Sequence, residues 1–184
     1  MTALELTDHT AKMLGYDGAE DLDTGPRLLI RQYLDQAAAQ AAQDRSLPLA
    51  SQHVTLDATG CLAESQLTHT PRQIFYVDVE GAPLPFRRIR LVGSPFIHVP
   101  GAAEKEAVVT YGYTPEPMGD EDEPPFPFWF HPHLADYAAA RMLSQGGNDQ
   151  QNKARFFLEM WYAALARLSG PEHDALCWKN LYHQ

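Results

Sequence analysis

The stretch His131-Pro-His-Leu-Ala-Asp-Tyr-Ala-Ala-Ala-Arg-Met-Leu143, followed by Gly146-Gly147 and Ala154-Arg-Phe-Phe-Leu-Glu-Met-Trp-Tyr-Ala-Ala-Leu-Ala-Arg-Leu168, decides the fold. Pro132 suits the first turn of a helix, and Leu134, Tyr137, Ala138 and Met142 recur at helical spacing behind it. The two glycines stop that helix, and Asn148 with Gln151 has the form of a capping box opening the next. Ala154, Phe157, Leu158, Trp161, Ala164, Leu165 and Leu168 then share one helical face. Phe156, Met160 and Ala163 make a second, narrower strip away from it. A helix apolar on two sides has two things to pack against. Partner elements of the same chain take one, and a second subunit suits the other.

Outward from this hairpin, the preceding segment Thr114-Pro-Glu-Pro-Met-Gly-Asp-Glu-Asp-Glu-Pro-Pro-Phe-Pro-Phe-Trp-Phe130 is too rich in proline for regular structure. It reads as a crossing loop with a solvated acidic run, Asp120 to Glu123. Its aromatic end, Phe126, Phe128, Trp129 and Phe130, must be buried in the core or in a neighbour. Further back the period changes from helical to two. Phe75, Val77 and Val79 fall on one face of a strand, and Glu80-Gly81-Ala82-Pro83 turns the chain. Arg87, Ile89 and Leu91 share a face of a second strand, and Ala107, Val109, Tyr111 and Tyr113 a face of a third. Prolines 71, 83, 85, 95 and 100 predict short strands partly at sheet edges. Near the start, Ile30, Tyr33, Leu34, Ala37, Ala38 and Ala41 predict a helix over 24–45 with Thr24 as N-cap and Pro26 in its first turn; a shorter helix over 4–14 ends at Gly15.

These pieces predict an α+β fold, mainly a helical bundle with an inserted small antiparallel sheet. The expected division is 1–50 for the first helices, 51–115 for the sheet, 116–130 for the crossing loop and 131–170 for the hairpin. A docking tail over 171–184 carries Leu176, Trp178, Leu181 and Tyr182. With 184 residues, 45% hydrophobic and 21% charged, the chain is long enough for a real core. Its net charge of −10 argues against gripping nucleic acid through phosphate neutralisation. Cys61 and Cys177 are too few for a disulfide framework and suit a reducing compartment. The first residues lack the basic and apolar regions of a secretory signal, and no apolar run approaches the ~18 residues of a membrane span.

No residue pattern announces a reaction. Eight histidines include His131 and His133 as the closest pair, but His-Glu-x-x-His and Cys-x-x-Cys are absent, so hydrogen-bonded histidines at a helix start are expected. Cys61 lies near His53 and His69 in sequence, which alone does not make a nucleophile, and Gly93-Ser94-Pro95 is not a nucleophile elbow. The acids from Glu116 to Glu123 lack the ligand alternation of an EF-hand. Arg87, Arg88 and Arg90 form the one dense basic cluster, and in so acidic a chain they suit salt bridges or subunit contacts.

Taken in order, the helices, the Val79-Glu-Gly-Ala-Pro-Leu84 turn, the strand ending Val109-Thr-Tyr-Gly-Tyr-Thr-Pro115, the proline crossing and the final hairpin resemble the head-to-tail adaptor (connector) proteins of tailed bacteriophages, including the tail-tubular type. The resemblance covers about residues 24–169 and is strongest in the hairpin. The Phe126-Pro-Phe-Trp-Phe130 segment is more aromatic than that pattern, and the residues past Gly170 end in apolar side chains. The resemblance implies a non-enzymatic structural protein of the virion, needing no cofactor or metal. It implies a ring, usually a dodecamer, that binds the portal protein on one side and a tail, nozzle or neck protein on the other. DNA would pass through its channel without sequence-specific binding, and no membrane is involved. The surfaces expected to meet copies or partners are Phe126, Phe128, Trp129, Phe130, Phe156, Met160, Ala163, Trp178, Leu181 and Tyr182, with Arg87, Arg88 and Arg90 for polar contacts. The rival expectations are an assembly factor absent from the finished particle and a small metal-dependent enzyme using the acidic loop or His131 and His133.

Overall fold

A computed structural model of the chain describes residues 1–44, 47–91 and 94–168. Helix α1 (Ala3–Leu14) begins at a capping box: Glu5 N–H donates to the Thr2 hydroxyl at 3.3 Å and Thr2 N–H to the Glu5 carboxylate at 2.9 Å. It ends at Gly15, in the left-handed conformation. Helix α2 (Thr24–Asp44) starts one residue earlier than expected: the Asp23 carbonyl accepts Arg27 N–H at 3.2 Å, and Thr24 is the first helical residue. Ile30, Tyr33, Leu34, Ala37, Ala38 and Ala41 are all buried, as their spacing predicts.

Helix α3 (His131–Leu143) and helix α4 (Asn148–Leu168) form the hairpin. α3 contacts α1, α2 and α4, so it is the central rod of the helical unit. Ala135, Ala138, Ala139 and Ala140 are fully buried on it, whereas the expected Tyr137 and Met142 are only half-buried. Alanine lets three neighbours approach closely, and a reading keyed to large apolar side chains underweights it. The capping box expected from Asn148 and Gln151 does not form. Gly147 carbonyl accepts Gln151 N–H at 2.9 Å, and the Gln151 side-chain amide donates to the Gly146 carbonyl at 3.1 Å.

Where one small sheet was expected there are two. The strands are β1 (Leu49–Thr55), β2 (Cys61–Ala63), β3 (Pro71–Val79), β4 (Ala82–Leu84), β5 (Arg87–Leu91), β6 (Ser94–His98) and β7 (Glu106–Tyr113). A four-stranded antiparallel sheet has the order β1-β7-β3-β4, and a three-stranded one the order β2-β6-β5. β3 and β7, expected to be short and partly at edges, are long inner strands; Pro71 opens β3, and Pro83 sits in the edge strand β4. Pro95 lies in the middle strand of the smaller sheet, but β2 reaches only as far as Phe96, so its missing N–H removes no ladder bond on that side. Leu62 and Ile97 from one sheet and Val77, Val79, Val109 and Tyr111 from the other share a single core.

By contacts the described chain divides into a helical unit, residues 1–44 and 115–168, and a sheet unit, residues 47–91 and 94–114. The α+β class with helices from both ends of the chain and inserted sheet structure is therefore observed.

Two turns need glycine for different reasons. Val79 pairs with Ala82 across Glu80 (φ 54) and Gly81 (φ 82), a two-residue hairpin with both central residues left-handed. Gly60 (φ +74) has a left-handed backbone too, and in addition a Cβ there would lie 2.6 Å from the Val99 carbonyl oxygen. Gly60→Ala is therefore expected to cost about 2–3 kcal/mol, from strain and displacement of the Gly60–Val99 contact. Gly81→Ala, with nothing within 4 Å of the added carbon, should cost about 1 kcal/mol. Urea denaturation of both variants measures the difference, and equal losses would contradict the steric part of the account.

Candidate assembly surface

Pro127 leads the chain into a 3-10 turn, Phe128–Phe130, that runs directly into α3. With about three residues per turn, its three aromatic rings point in different directions. Phe130 goes inward and is fully buried; its ring lies 5.4 Å from that of Trp161, which also meets Tyr137 at 5.3 Å. Phe126 tilts against Phe130 at 5.5 Å and is buried as well. Phe126 and Phe130 are thus core residues of the helical unit, which corrects their assignment to a partner surface: the aromatic pair α3 and α4 enclose is more favourable than exposure. Phe128 and Trp129 go outward, 71% and 41% exposed.

On α4, Ala154, Trp161, Ala164, Leu165 and Leu168 are buried, and Phe157 and Leu158 half-buried. Phe156, Met160 and Ala163 remain exposed, Phe156 by 58% and Met160 by 40%. Their i, i+4, i+7 spacing sets them on one flank, and Arg167 continues it at i+11. The Arg167 guanidinium lies 5.1 Å from the Trp129 ring centroid, a cation–π contact that carries the strip from α4 onto the 3-10 turn. Phe156, Met160, Ala163, Arg167 and Trp129 thus follow one another along one side of the hairpin, and Phe128 is exposed separately, its ring 5.5 Å from that of His131. Tyr162, 56% exposed, lies on the opposite flank. Arg167 and Tyr162 escaped the sequence reading; the signal for Arg167 was its spacing of four from Ala163.

Trp161 fixes the phase of this arrangement. It is the largest fully buried side chain of α4, and among the described residues its indole N–H has no hydrogen-bond partner. An orphaned buried donor costs on the order of 1–3 kcal/mol, which the surrounding rings must exceed.

The histidines beside the surface are occupied. His131, buried, faces the Phe126 carbonyl with Nε2 at 2.9 Å, which assigns the proton to that nitrogen, and its Nδ1 accepts from the Met1 amino group at 3.1 Å. His133 Nδ1 lies 2.8 Å from Asp136 Oδ2. Among the described residues no group of three His, Cys, Asp or Glu side chains is arranged to hold a metal ion. Cys61 stands opposite His98 in the β2–β6 register, while His53 pairs with Val108 and His69 stacks on Tyr113 at 4.0 Å.

The acidic loop is more than a solvated run. The Asp122 and Asp120 carbonyls accept the first two amides of α1, Ala3 at 2.8 Å and Leu4 at 3.1 Å, donors a helix start otherwise leaves unsatisfied. Arg31 of α2 donates to the Met118 carbonyl and pairs with Asp120 at 3.2 Å, while Met118 N–H donates to Asp35 at 3.1 Å. Burial holds the Asp35 carboxyl above the usual range against that hydrogen bond and Arg31.

The arginine cluster splits. Arg88 makes a two-pronged pair with the buried Glu64 carboxylate, at 2.5 and 2.7 Å, and donates to the carbonyls of Pro71 and Arg72. Arg88 is therefore a clasp inside the sheet unit, as one of the two expectations for the cluster had it. Arg87 and Arg90 are exposed, with no ion pair among the described residues. Trp178, Leu181 and Tyr182 lie outside the described residues.

No family model matches the chain, and no curated protein does either.

Burial raises the Asp136 carboxyl above its ordinary range, opposed by the hydrogen bond from His133 and the charges of His133 and His9. The fold favours the neutral acid, so the stability this group contributes is complete below its unfolded value and is lost as pH rises through the higher folded value. Asp136→Asn, which keeps an oxygen for His133, is expected to be more stable than the wild type at neutral pH and to lose that advantage in mild acid. Urea midpoints at the two pH values check this, and an advantage that does not shrink on acidification contradicts it.

Proposed function

We propose that this chain is a structural, non-enzymatic virion protein, a head-to-tail adaptor that assembles as a ring between the portal and the tail or neck and extends the DNA channel. The observation that carries the reading is the continuous exposed side of the hairpin, Phe156, Met160, Ala163, Arg167 and Trp129. Large apolar side chains held outward on a rigid helix, with one arginine among them, have the composition of interface hot spots. A ring of many copies joins unlike surfaces of successive subunits, because a self-matching contact already closes at two copies. An apolar side facing a different, polar-rimmed side of the next copy satisfies that requirement. The net charge of −10 suits a channel wall past which DNA slides, since like charges repel. The likeness in element order to phage connectors supplies the portal and the tail or neck protein as partners, and the virion as the place of action.

The test is electron microscopy of the full chain mixed with candidate portal and tail proteins, in wild-type form and as Phe156→Glu with Met160→Glu. Rings stacked on portal are expected for the wild type and none for the double variant. Because both side chains are exposed, the unfolding free energy should change by no more than about 0.5 kcal/mol per site. Rings that form equally well with the double variant would sink the assignment of this surface. A wild type that never co-assembles with any portal or tail protein would sink the function.

A further inference from the structure

The two sheets have four edge strands, and three are guarded against pairing with another chain. β2 and β4 are three residues long, and β4 contains Pro83. β5 carries three arginines in five residues. β1 is different: seven residues, Leu-Ala-Ser-Gln-His-Val-Thr, with no proline, no lysine or arginine, no acid and no break in its register with β7.

Its open side can be assigned atom by atom. Tyr113 N–H donates to the Pro48 carbonyl at 3.1 Å and Leu56 N–H to the Lys105 carbonyl at 3.0 Å, at either end of the continuous β1–β7 register. In an antiparallel pair the bonded positions alternate. Even-numbered residues Ala50, Gln52 and Val54 therefore exchange bonds with β7. Leu49, Ser51, His53 and Thr55 turn their N–H and C=O groups away from it, and all four side chains are exposed. Among the described residues no strand pairs with β1 on that side.

We propose that this edge pairs antiparallel with β1 of a second copy, about a two-fold axis at Gln52. Such pairing sets Leu49 opposite Thr55 and Ser51 opposite His53, and it is the one register in which all four outward donors and all four outward acceptors are used on both strands. Ala50 falls opposite Val54 on the half-buried face. No like charges meet, which matters for a chain whose net charge of −10 makes most approaches between copies repulsive. An uncharged strand with a self-matching set of groups is the surface on which two such copies meet most easily. The contact is isologous and closes at two copies, so it describes a dimer of the free protein and does not rest on the adaptor reading.

The experiment is sedimentation velocity of the full chain over a concentration series, with residue-resolved amide exchange and circular dichroism as a check of folding. A concentration-dependent dimer is expected, in which the amides of Ser51, His53 and Thr55 become protected, while those of Gln52 and Val54 are protected in monomer and dimer alike. His53→Pro removes one outward donor per strand without touching the β1–β7 ladder and should raise the dimer Kd at least ~10-fold. Leu49→Glu with Thr55→Glu sets carboxylates opposite each other across the axis and should also weaken the dimer. Leu49→Glu with Thr55→Lys sets opposite charges there and should restore it. Phe156→Glu with Met160→Glu should leave the dimer intact. A wild type that stays monomeric throughout overturns the proposal. So does a dimer whose odd-numbered β1 amides exchange freely, or one that the Glu–Lys variant weakens as much as the Glu–Glu variant does.

Discussion

The contact on which the helical unit depends is Phe130 against Trp161. It joins the residue just before α3 to the middle of α4, and Tyr137 closes the other side of the indole. Once Trp161 is buried, the rotation of α4 about its axis is set, because every other residue lies at a fixed angle from it. Ala154, Ala164, Leu165 and Leu168 must then face inward, and Phe156, Met160 and Ala163 outward. Burying Phe130 likewise leaves its neighbours Phe128 and Trp129 outside, where Arg167 covers one indole face. The exposed side of the hairpin is thus a consequence of the core, not an independent feature. A change that loosened Trp161 would blur the outer surface along with the inner one.

The same economy appears at the acidic loop. Its prolines deny it secondary structure, yet its carbonyls cap α1 and its Asp120 and Met118 hold Arg31 of α2. The loop therefore ties together helices that come from the first part of the chain, just before the aromatic turn delivers Phe130 to α4. Backbone groups make most of these contacts; the side chains of Asp120 and Glu123, each 66% exposed, add ion pairs with Arg31 and the Met1 amino group. Exposed ion pairs of this kind contribute little on their own, and the main-chain bonds are the firmer part of the strap.

The helices were legible because their signals are local. Ile30 to Ala41, the Gly146-Gly147 stop and the Trp161 face depend only on spacing along one element. The hairpin at Glu80-Gly81 was legible for the same reason. What escaped reading depends on neighbours. β1 looks polar because Ser51, Gln52 and His53 are strand residues with one open edge, and Gln52 is satisfied by Thr68 and Gln66 across a loop. β2 and β6 are short, and only the shared core with the larger sheet makes strands of them. Sequence could say that Phe126 to Phe130 had to be covered, but not by what. The choice between core and surface was made ring by ring, by a 3-10 turn that sequence spacing does not specify.

The two surfaces differ in what they can discriminate. In the proposed adaptor, the hairpin surface recognises by side-chain shape: the exposed rings of Phe156 and Trp129 fit some pockets and are excluded from others. In the proposed dimer, the β1 edge recognises by backbone, and any strand of suitable register and low charge satisfies the same N–H and C=O groups. Specificity there must come from the absence of charge and from the matching of Leu49 with Thr55 and Ser51 with His53. A shape-reading surface tolerates a rearranged backbone poorly and a backbone-reading edge tolerates changed side chains well, so substitutions separate them cleanly.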